Sequence, residues 1–456
     1  MQFAHEGEKD WLKSFAPPTG ERKFPDGWGA ARIDLSGAKN WKVMVTDLVK
    51  SPLPPLAIAK SKFEMVNLPD SDFRTSLQAQ TAHLLAGLDG LNVWPGDPTS
   101  YTKRQGRAGA QVIVALARVG QLEVARSLLL KYLADAEPGP LNVMELEAPG
   151  WALWAAEEVA ARVNRTDCDK DLWQHVALQA QRIVKAPLTA PPAALAINYR
   201  GLLCAATLAE RYRMPDEAKS WRVRAEELKA QWKKAPPSQL DIFNPAYGVS
   251  LWPSWVAAES KDSFQADLQK RWQLLRDAQG NFLQSSAHTA LELADAHQWL
   301  LLDKPDRTWQ TLRGFWANQA IAGLYTWGDA VTKEHNLSKW EQVRAITPQQ
   351  LSPLYNTAAE LLLLQLDMLG YYNEATQELI IGAGATPVWA NLPLDINNLS
   401  TGLGEISWHW DAPKKQLTVI VPDKRIKEQL GKNKVRLGIN FPAKAKVVIE
   451  VLKTSQ

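Results

Sequence analysis

Carboxylates and aromatic rings gather in the segments that join the helical stretches of this chain. Those segments hold Glu145, Glu147 and Asp329 and the rings Trp94, Tyr101, Tyr325 and Trp327, with Trp151 and Trp252 at the helix starts they lead into. Two carboxyl groups that face each other can divide acid and base work, one giving a proton to a leaving oxygen and one activating water or attacking carbon. Trp and Tyr rings are suited to stack on the apolar faces of sugars while their polar edges stay wet. A concave end rimmed by both is the outline of a carbohydrate site. As the acid, Glu147 is preferred to Glu145, because a site lined by Trp151 and other rings desolvates a carboxyl, as a general acid requires. The competing reading is that Glu147 only serves the positive end of the following helix, or binds a sugar hydroxyl.

The elements that must position these groups repeat. Six short turns, near Gly120, Asn164, Met214, Ser260, Lys304 and Tyr371, each separate two apolar-periodic stretches. Their spacing of roughly 45 residues, longer at the last step, is the period of a stacked or closed helical array. The pattern predicts a helix from about 68 to 88, then pairs at 105–119 with 121–136, 149–163 with 169–186, 194–213 with 215–233, 250–259 with 262–276 and 286–303 with 305–320, and a last helix at 352–370. These make a ring if the first and last helices pair, since a single hairpin cannot bury its apolar face alone. With the short turns at one end, the longer links all fall at the other.

Residues 1–65 lie outside the repeat and read as an irregular N-terminal extension, with weak strand alternation from Ala31 to Val49. The ring is expected over 66–375. Beyond it, over 376–456, short β-branched or alternating runs at 378–383, 404–410, 416–421, 434–439 and 445–452 predict a small C-terminal β-sandwich.

Composition narrows the partners. With 52 basic and 49 acidic residues in 456, and no basic block, nucleic acid is not an expected partner. No run approaches the roughly 20 apolar residues of a membrane span, and the first residues carry neither a basic nor an apolar leader segment, so no membrane insertion is expected and the compartment stays open. The 20 Trp against 9 Tyr and 10 Phe stand out, as core or as sugar-stacking surface. Cys168 and Cys204 are too few for a disulfide framework and read as buried thiols. The histidines lack ligand spacing, and no phosphate loop, nucleophile elbow or Cys-x-x-Cys is present, so neither metal nor cofactor is expected.

Over roughly residues 70–390 the chain resembles the six-hairpin glycosidases, the (α/α)6 toroids that include glucoamylase-type enzymes. Tyr101-Thr-Lys-Arg-Gln-Gly-Arg107-Ala108-Gly109-Ala110 is similar to the family's Tyr-x-Arg-x-Trp-x-Arg-Asp-Gly-Ala segment, and Glu147-Ala-Pro-Gly150-Trp-Ala-Leu-Trp154 to its Asp-x-x-Gly-x-x-Leu-Trp helix start. Asn198-Tyr199-Arg200-Gly201-Leu202, Ser250-Leu251-Trp252-Pro253, Gly323-Leu324-Tyr325-Thr326-Trp327-Gly328-Asp329 and Ala358-Ala359-Glu360 follow in the family's order. Two departures stand out. Ala108 occupies the position of the Asp that helps clamp the reactive sugar, and the stretch 186–194, where glucoamylase-type enzymes carry their general acid, has no carboxylate.

The resemblance implies an (α/α)6 toroid acting as a glycoside hydrolase on an oligo- or polysaccharide, with inversion implied by the family alone. It places an acidic residue at Asp329, which becomes the expected base. Arg107 is expected to bind substrate hydroxyls or orient a carboxylate, the alternative being a structural ion pair. Glu360, inside an apolar helix, is expected to be buried and paired or to serve the substrate. Trp94, Trp252 and Trp327 are the stacking candidates, each set against plain core packing. A glycan-binding toroid that has lost its acids, and a toroid-fold lyase or epimerase working through Tyr247, Tyr325 or Arg107, are the rival readings.

Overall fold

The computed structural model describes residues 2–5, 29–32, 62–96, 106–135, 146–163, 170–234, 245–277, 280, 289–320, 323–328, 354–431 and 434–452. The chain divides into two compact units, Met1–Pro55 with Asn336–Ala345, and Leu56–His335 with Ile346–Gln456. In the first unit, strands β1 (Gln2–His5) and β2 (Gly29–Arg32) pair antiparallel, with Gln2 opposite Arg32. The second unit carries the helices and the remaining strands.

Its helices are α1 (Ser71–Ala86), α2 (Gly106–Arg118), α3 (Leu122–Ala134), α4 (Ala148–Arg162), α5 (Lys170–Lys185), α6 (Pro192–Arg211), α7 (Pro215–Trp232), α8 (Lys261–Leu275), α9 (Thr289–Leu301), α10 (Pro305–Ala317) and α11 (Tyr355–Leu369). Packing closes a ring. α2 lies against α4, α4 against α6, α6 against the 3₁₀ turn Tyr247–Val249, that turn against α9, α9 against α11, and α11 against α2. The first and last helices, α1 and α11, also pack together. The inner helices are apolar nearly all round, as buried staves must be: from Ala108 to Arg118 every residue of α2 is buried, and from Thr357 to Leu369 every residue of α11.

Three of the inner-to-outer turns are copies of one another. Gly120, Arg213 and Asp303 have φ of 87°, 61° and 57°. The amide after each reaches back five residues, Gln121 N to Leu116 O at 2.9 Å, Met214 N to Ala209 O at 2.8 Å and Lys304 N to Trp299 O at 2.9 Å. This is the left-handed helix stop in which carbonyls of the last turn find donors just beyond the helix end. Pro215 and Pro305 then open the next helices, where a missing N–H costs nothing.

The stave expected as a helix over 250–259 is instead a run of turns between the 3₁₀ segments Tyr247–Val249 and Ala258–Ser260. Pro253 lacks the N–H that a helix interior needs, and Trp255 has φ of 59°. Side chains take over the backbone's bonding. Gln298 Oε1 accepts from Leu251 N at 2.7 Å and Trp252 N at 3.0 Å, while its Nε2 donates to Trp252 O at 3.0 Å.

The C-terminal strands form two sheets. One has the order β10-β8-β7-β6-β3, from β3 (Glu64–Val66), β6 (Leu394–Thr401), β7 (Gly404–Asp411), β8 (Gln416–Val421) and β10 (Lys446–Val451). The other joins β4 (Gly370–Asn373), β5 (Glu378–Ile381) and β9 (Val435–Leu437). The pairs β8–β10 and β5–β9 are parallel. In β7 and β8 the period of two buries Ile406, Trp408, Trp410, Leu417, Val419 and Val421. Strand β3 comes from the end of the predicted N-terminal extension and pairs with β6. Among the described residues no helix is long and apolar enough to cross a membrane.

Much of the Trp surplus goes to packing. Phe73 and Trp309 each meet Trp389 edge to face, and Trp151, Trp154, Trp408 and Trp410 are buried. Cys204 is a buried, unbridged thiol; Cys168 lies outside the described residues.

Candidate functional site

The described parts of two links meet where inner helices begin. Pro95 O accepts from Tyr355 N at 2.7 Å, which brings the stretch carrying Trp94 to the start of α11. Thr289 Oγ1 donates to Gly328 O at 2.7 Å, and Leu354 N to Trp327 O at 3.1 Å, so the segment 327–328 is fixed at the starts of α9 and α11. Asp329 follows it in sequence but lies outside the described residues, as do Tyr101 and Glu145.

Glu147 stands at the cap position of α4. Its carboxylate makes no bond to the helix amides; it accepts from Trp151 Nε1 at 3.3 Å. Its place is set by α6, where Asn198 Nδ2 donates to Leu146 O at 2.9 Å. Beside it, α4 and α6 meet backbone to backbone. A Cβ on Gly150 would lie 2.6 Å from Ile197 O, and one on Gly201 2.7 Å from Gly150 Cα. Helix propensity alone favours Ala over Gly by about 1 kcal/mol. Here the overlap with backbone reverses the sign, and Gly150→Ala or Gly201→Ala is expected to cost about 1–3 kcal/mol in urea unfolding. Because both force the same two helices apart, the double variant should cost less than the sum.

Arg107, on the first turn of α2, lies over the Trp151 ring with its guanidinium carbon 5.2 Å from the centroid. Its Nη2 is 3.6 Å from Glu360 Oε2. Glu360 is wholly buried and also accepts from Gln111 Nε2. Below it a polar chain runs down the ring. His297 Nδ1 meets Glu360 Oε1 at 3.2 Å, His297 Nε2 meets Asp367 Oδ2 at 2.8 Å, and Arg118 Nη2 donates to Asp367 Oδ1 at 2.6 Å. Trp252 stacks on the imidazole, ring centroids 4.2 Å apart.

Burial works against charge on His297, yet its hydrogen bonds to Asp367 and Glu360 outweigh it and raise its pKa above the usual imidazole value. Burial likewise works against charge on Asp367, and the nearby Arg118 and His297 more than offset it, holding the carboxyl below its ordinary range.

The expected residues therefore divide. Arg107, Trp151, Glu147 and Glu360 come together, with Trp151 fully buried beneath the guanidinium. Trp252 is given to His297 and to an edge contact with Trp154. Trp327 is 3% exposed, its Nε1 donates to Phe315 O at 2.8 Å, and its ring packs on Phe315 as part of the wall. The Tyr325 hydroxyl donates to Asp72 Oδ1 at 2.7 Å on the outer helix α1, and burial with this bond pushes it up to about 12.

His297, Asp367, Gln111 and Arg118 were not among the expected residues. For all but His297 the signal lay in the spacing. Gln111 and Arg118 on α2, like Glu360 and Asp367 on α11, are seven residues apart in otherwise apolar helices, and seven residues is about two turns on one face. Each α2–α11 rung spans the same 249 residues, as neighbouring parallel staves in register require.

At the far end of this chain of bonds lies a cavity of about 50 Å³, lined in part by Arg118, Arg200, Asp367, Tyr371 and Glu374. Arg200 donates to both carboxylate oxygens of Glu374, the longer bond being 2.6 Å. The space would hold no more than a few waters and is far too small for a sugar. Among the described residues no cluster of His, Cys, Asp and Glu could hold a metal.

The sequence matches no family model, and no curated protein matches it. Solved structures do match in fold. A GH78 family rhamnosidase of Bacillus sp. GL1 superposes on 87% of this chain at a TM-score of 0.54 and 12% identity. The superposition covers 44% of the rhamnosidase, so the present chain spans less than half of that protein's length. A glucoamylase from Saccharomycopsis fibuligera aligns over 72% of this chain and 92% of its own, at a TM-score of 0.35 and 10% identity, too loose a superposition to argue from. Helices α2, α4, α6, α9 and α11 with the turn-built stave, ringed by their outer partners, give this chain an (α/α)6-toroid fold, which it shares with that rhamnosidase.

Proposed function

We propose that this protein is a glycoside hydrolase acting on an oligo- or polysaccharide at the end of the ring where the inner helices begin. The observation that carries the reading is the cluster of Glu147, Trp151 and Arg107 there, a carboxylate and a guanidinium both fixed to one indole, in a ring of the glycosidase fold. Glu147 acts as general acid, giving its proton to the glycosidic oxygen as the bond from that oxygen to the anomeric carbon breaks. Asp329 acts as base, taking a proton from the water that adds to the same carbon. Water is consumed, and one free reducing end appears for each bond cleaved. Inversion is the expected outcome.

Ala108 and the carboxylate-free stretch 186–194 favour one rival, a toroid that binds glycan without cleaving it. A reducing-sugar screen of the native chain beside Ala108→Asp separates the two. Turnover by the native chain establishes the hydrolase and shows that Asp at 108 is dispensable. Turnover by Ala108→Asp alone identifies a disabled hydrolase. Glycan binding without turnover in either form, unchanged in Glu147→Gln, identifies the binding protein.

A further inference from the structure

The polar chain along the ring is not balanced in charge. Arg107, Glu360, His297, Asp367 and Arg118 form one connected set, with two carboxylates. Asp367 lies between Arg118 and His297. Glu360 is shared by His297, Gln111 and, at the longer distance of 3.6 Å, Arg107. With the imidazole protonated, three cations face two carboxylates, and the surplus falls on the member least engaged. That member is Arg107. Its side chain is 17% exposed, against 0% for Glu360 and His297, 4% for Asp367 and 7% for Arg118.

Its donors are also unspent. Arg107 Nη2 is buried without a hydrogen-bond partner, and among the described residues Glu360 is the sole carboxylate within ion-pair reach of the guanidinium. Glu147 does not meet the need: it takes the indole N–H of Trp151 and forms no ion pair with Arg107. The guanidinium is held over the Trp151 ring at 5.2 Å, and its planar fork of N–H groups is the shape that matches a carboxylate bidentately.

We propose that the sugar bound beside Arg107 carries a carboxylate, so that the glycan is a uronate-containing one and Arg107 is its specificity-determining residue. This rests on the reading of that end of the ring as a glycan site. Binding, rather than turnover, is its readout, so it can fail while the hydrolase reading stands, and the reverse.

The test uses a panel of uronate oligosaccharides, each beside its carboxyl-reduced neutral form, titrated calorimetrically against the full chain. Members of the acidic set are expected to bind, with affinity falling about 10- to 100-fold on carboxyl reduction and by a similar factor in Arg107→Met, the worth of one charge-assisted pair. Arg107→Lys, which keeps the charge but not the fork, should recover only part of it. Circular dichroism of each variant establishes that the ring is intact. A neutral form that binds as tightly as its acidic partner, acidic binding that survives Arg107→Met in a folded variant, or no binding to any acidic member overturns the proposal.

Discussion

Glu147→Gln is expected to lower turnover on a natural glycan by about 10²–10⁴-fold, the usual worth of a positioned proton donor, while glycan binding changes little. The carboxamide is nearly the same size, and its oxygen can still accept from Trp151 Nε1 as the carboxylate does at 3.3 Å, so the local fold has no reason to move. What is lost is the proton. A substrate with an activated leaving group, such as a nitrophenyl glycoside, departs without protonation, and on it the loss should be far smaller. Asp329→Asn removes the activation of water and should depress both substrates alike. Steady-state kinetics on the two substrates therefore give a two-by-two pattern. Equal loss on both substrates for Glu147→Gln removes it from the role of acid.

His297→Ala is expected to cost about 3–5 kcal/mol in urea unfolding, the penalty for leaving buried charge without its partner. The imidazole bonds Glu360 and Asp367 through its two nitrogens, and Trp252 covers its face, so truncation leaves both carboxylates short of a partner and opens a hole beside the indole. The pH dependence identifies the charge. A group whose folded pKa is raised contributes stability that is complete below its unfolded value, about 6.5, and that is lost as pH rises through the folded value. The native chain should thus lose stability on the alkaline side of 6.5, and the variant should lack that slope. Asp367 acts in the opposite sense, its contribution present above 3.8 and lost as pH falls through its lowered value. An unchanged alkaline slope in His297→Ala would show that the imidazole is neutral in the ring.

The helices were legible in the sequence to within about three residues because the ring is built from local signals: apolar periodicity, proline at a first turn, and a left-handed stop before it. The stretch 250–259 was misread as a helix because its apolar residues are spaced as a helix would space them. Pro253 and the tertiary bonds of Gln298, 46 and 47 residues away, decide otherwise. The cluster of Arg107, Trp151 and Glu147 was legible in part, as residues at helix starts. The aromatic signal was the least reliable, since Trp327 and Tyr325 have the residue type of a sugar platform but the bonding of wall residues. The buried chain through His297 was missed because a histidine joined to carboxylates 63 and 70 residues away leaves no local spacing to read.

The pairing of α11 with both α1 and α2 has a kinetic consequence. The stave that closes the ring is separated from α2 by 249 residues along the chain, so the entropy of closing that loop must be met before the seam can form. During synthesis the earlier hairpins emerge with α2 lacking one flank, and Gln111 and Arg118 without the carboxylates they bind. Local hairpin contacts can form quickly, but the step that unites them is a long-range one. The order of assembly is therefore written into the fold: hairpins first, in the order they are made, and the circle last.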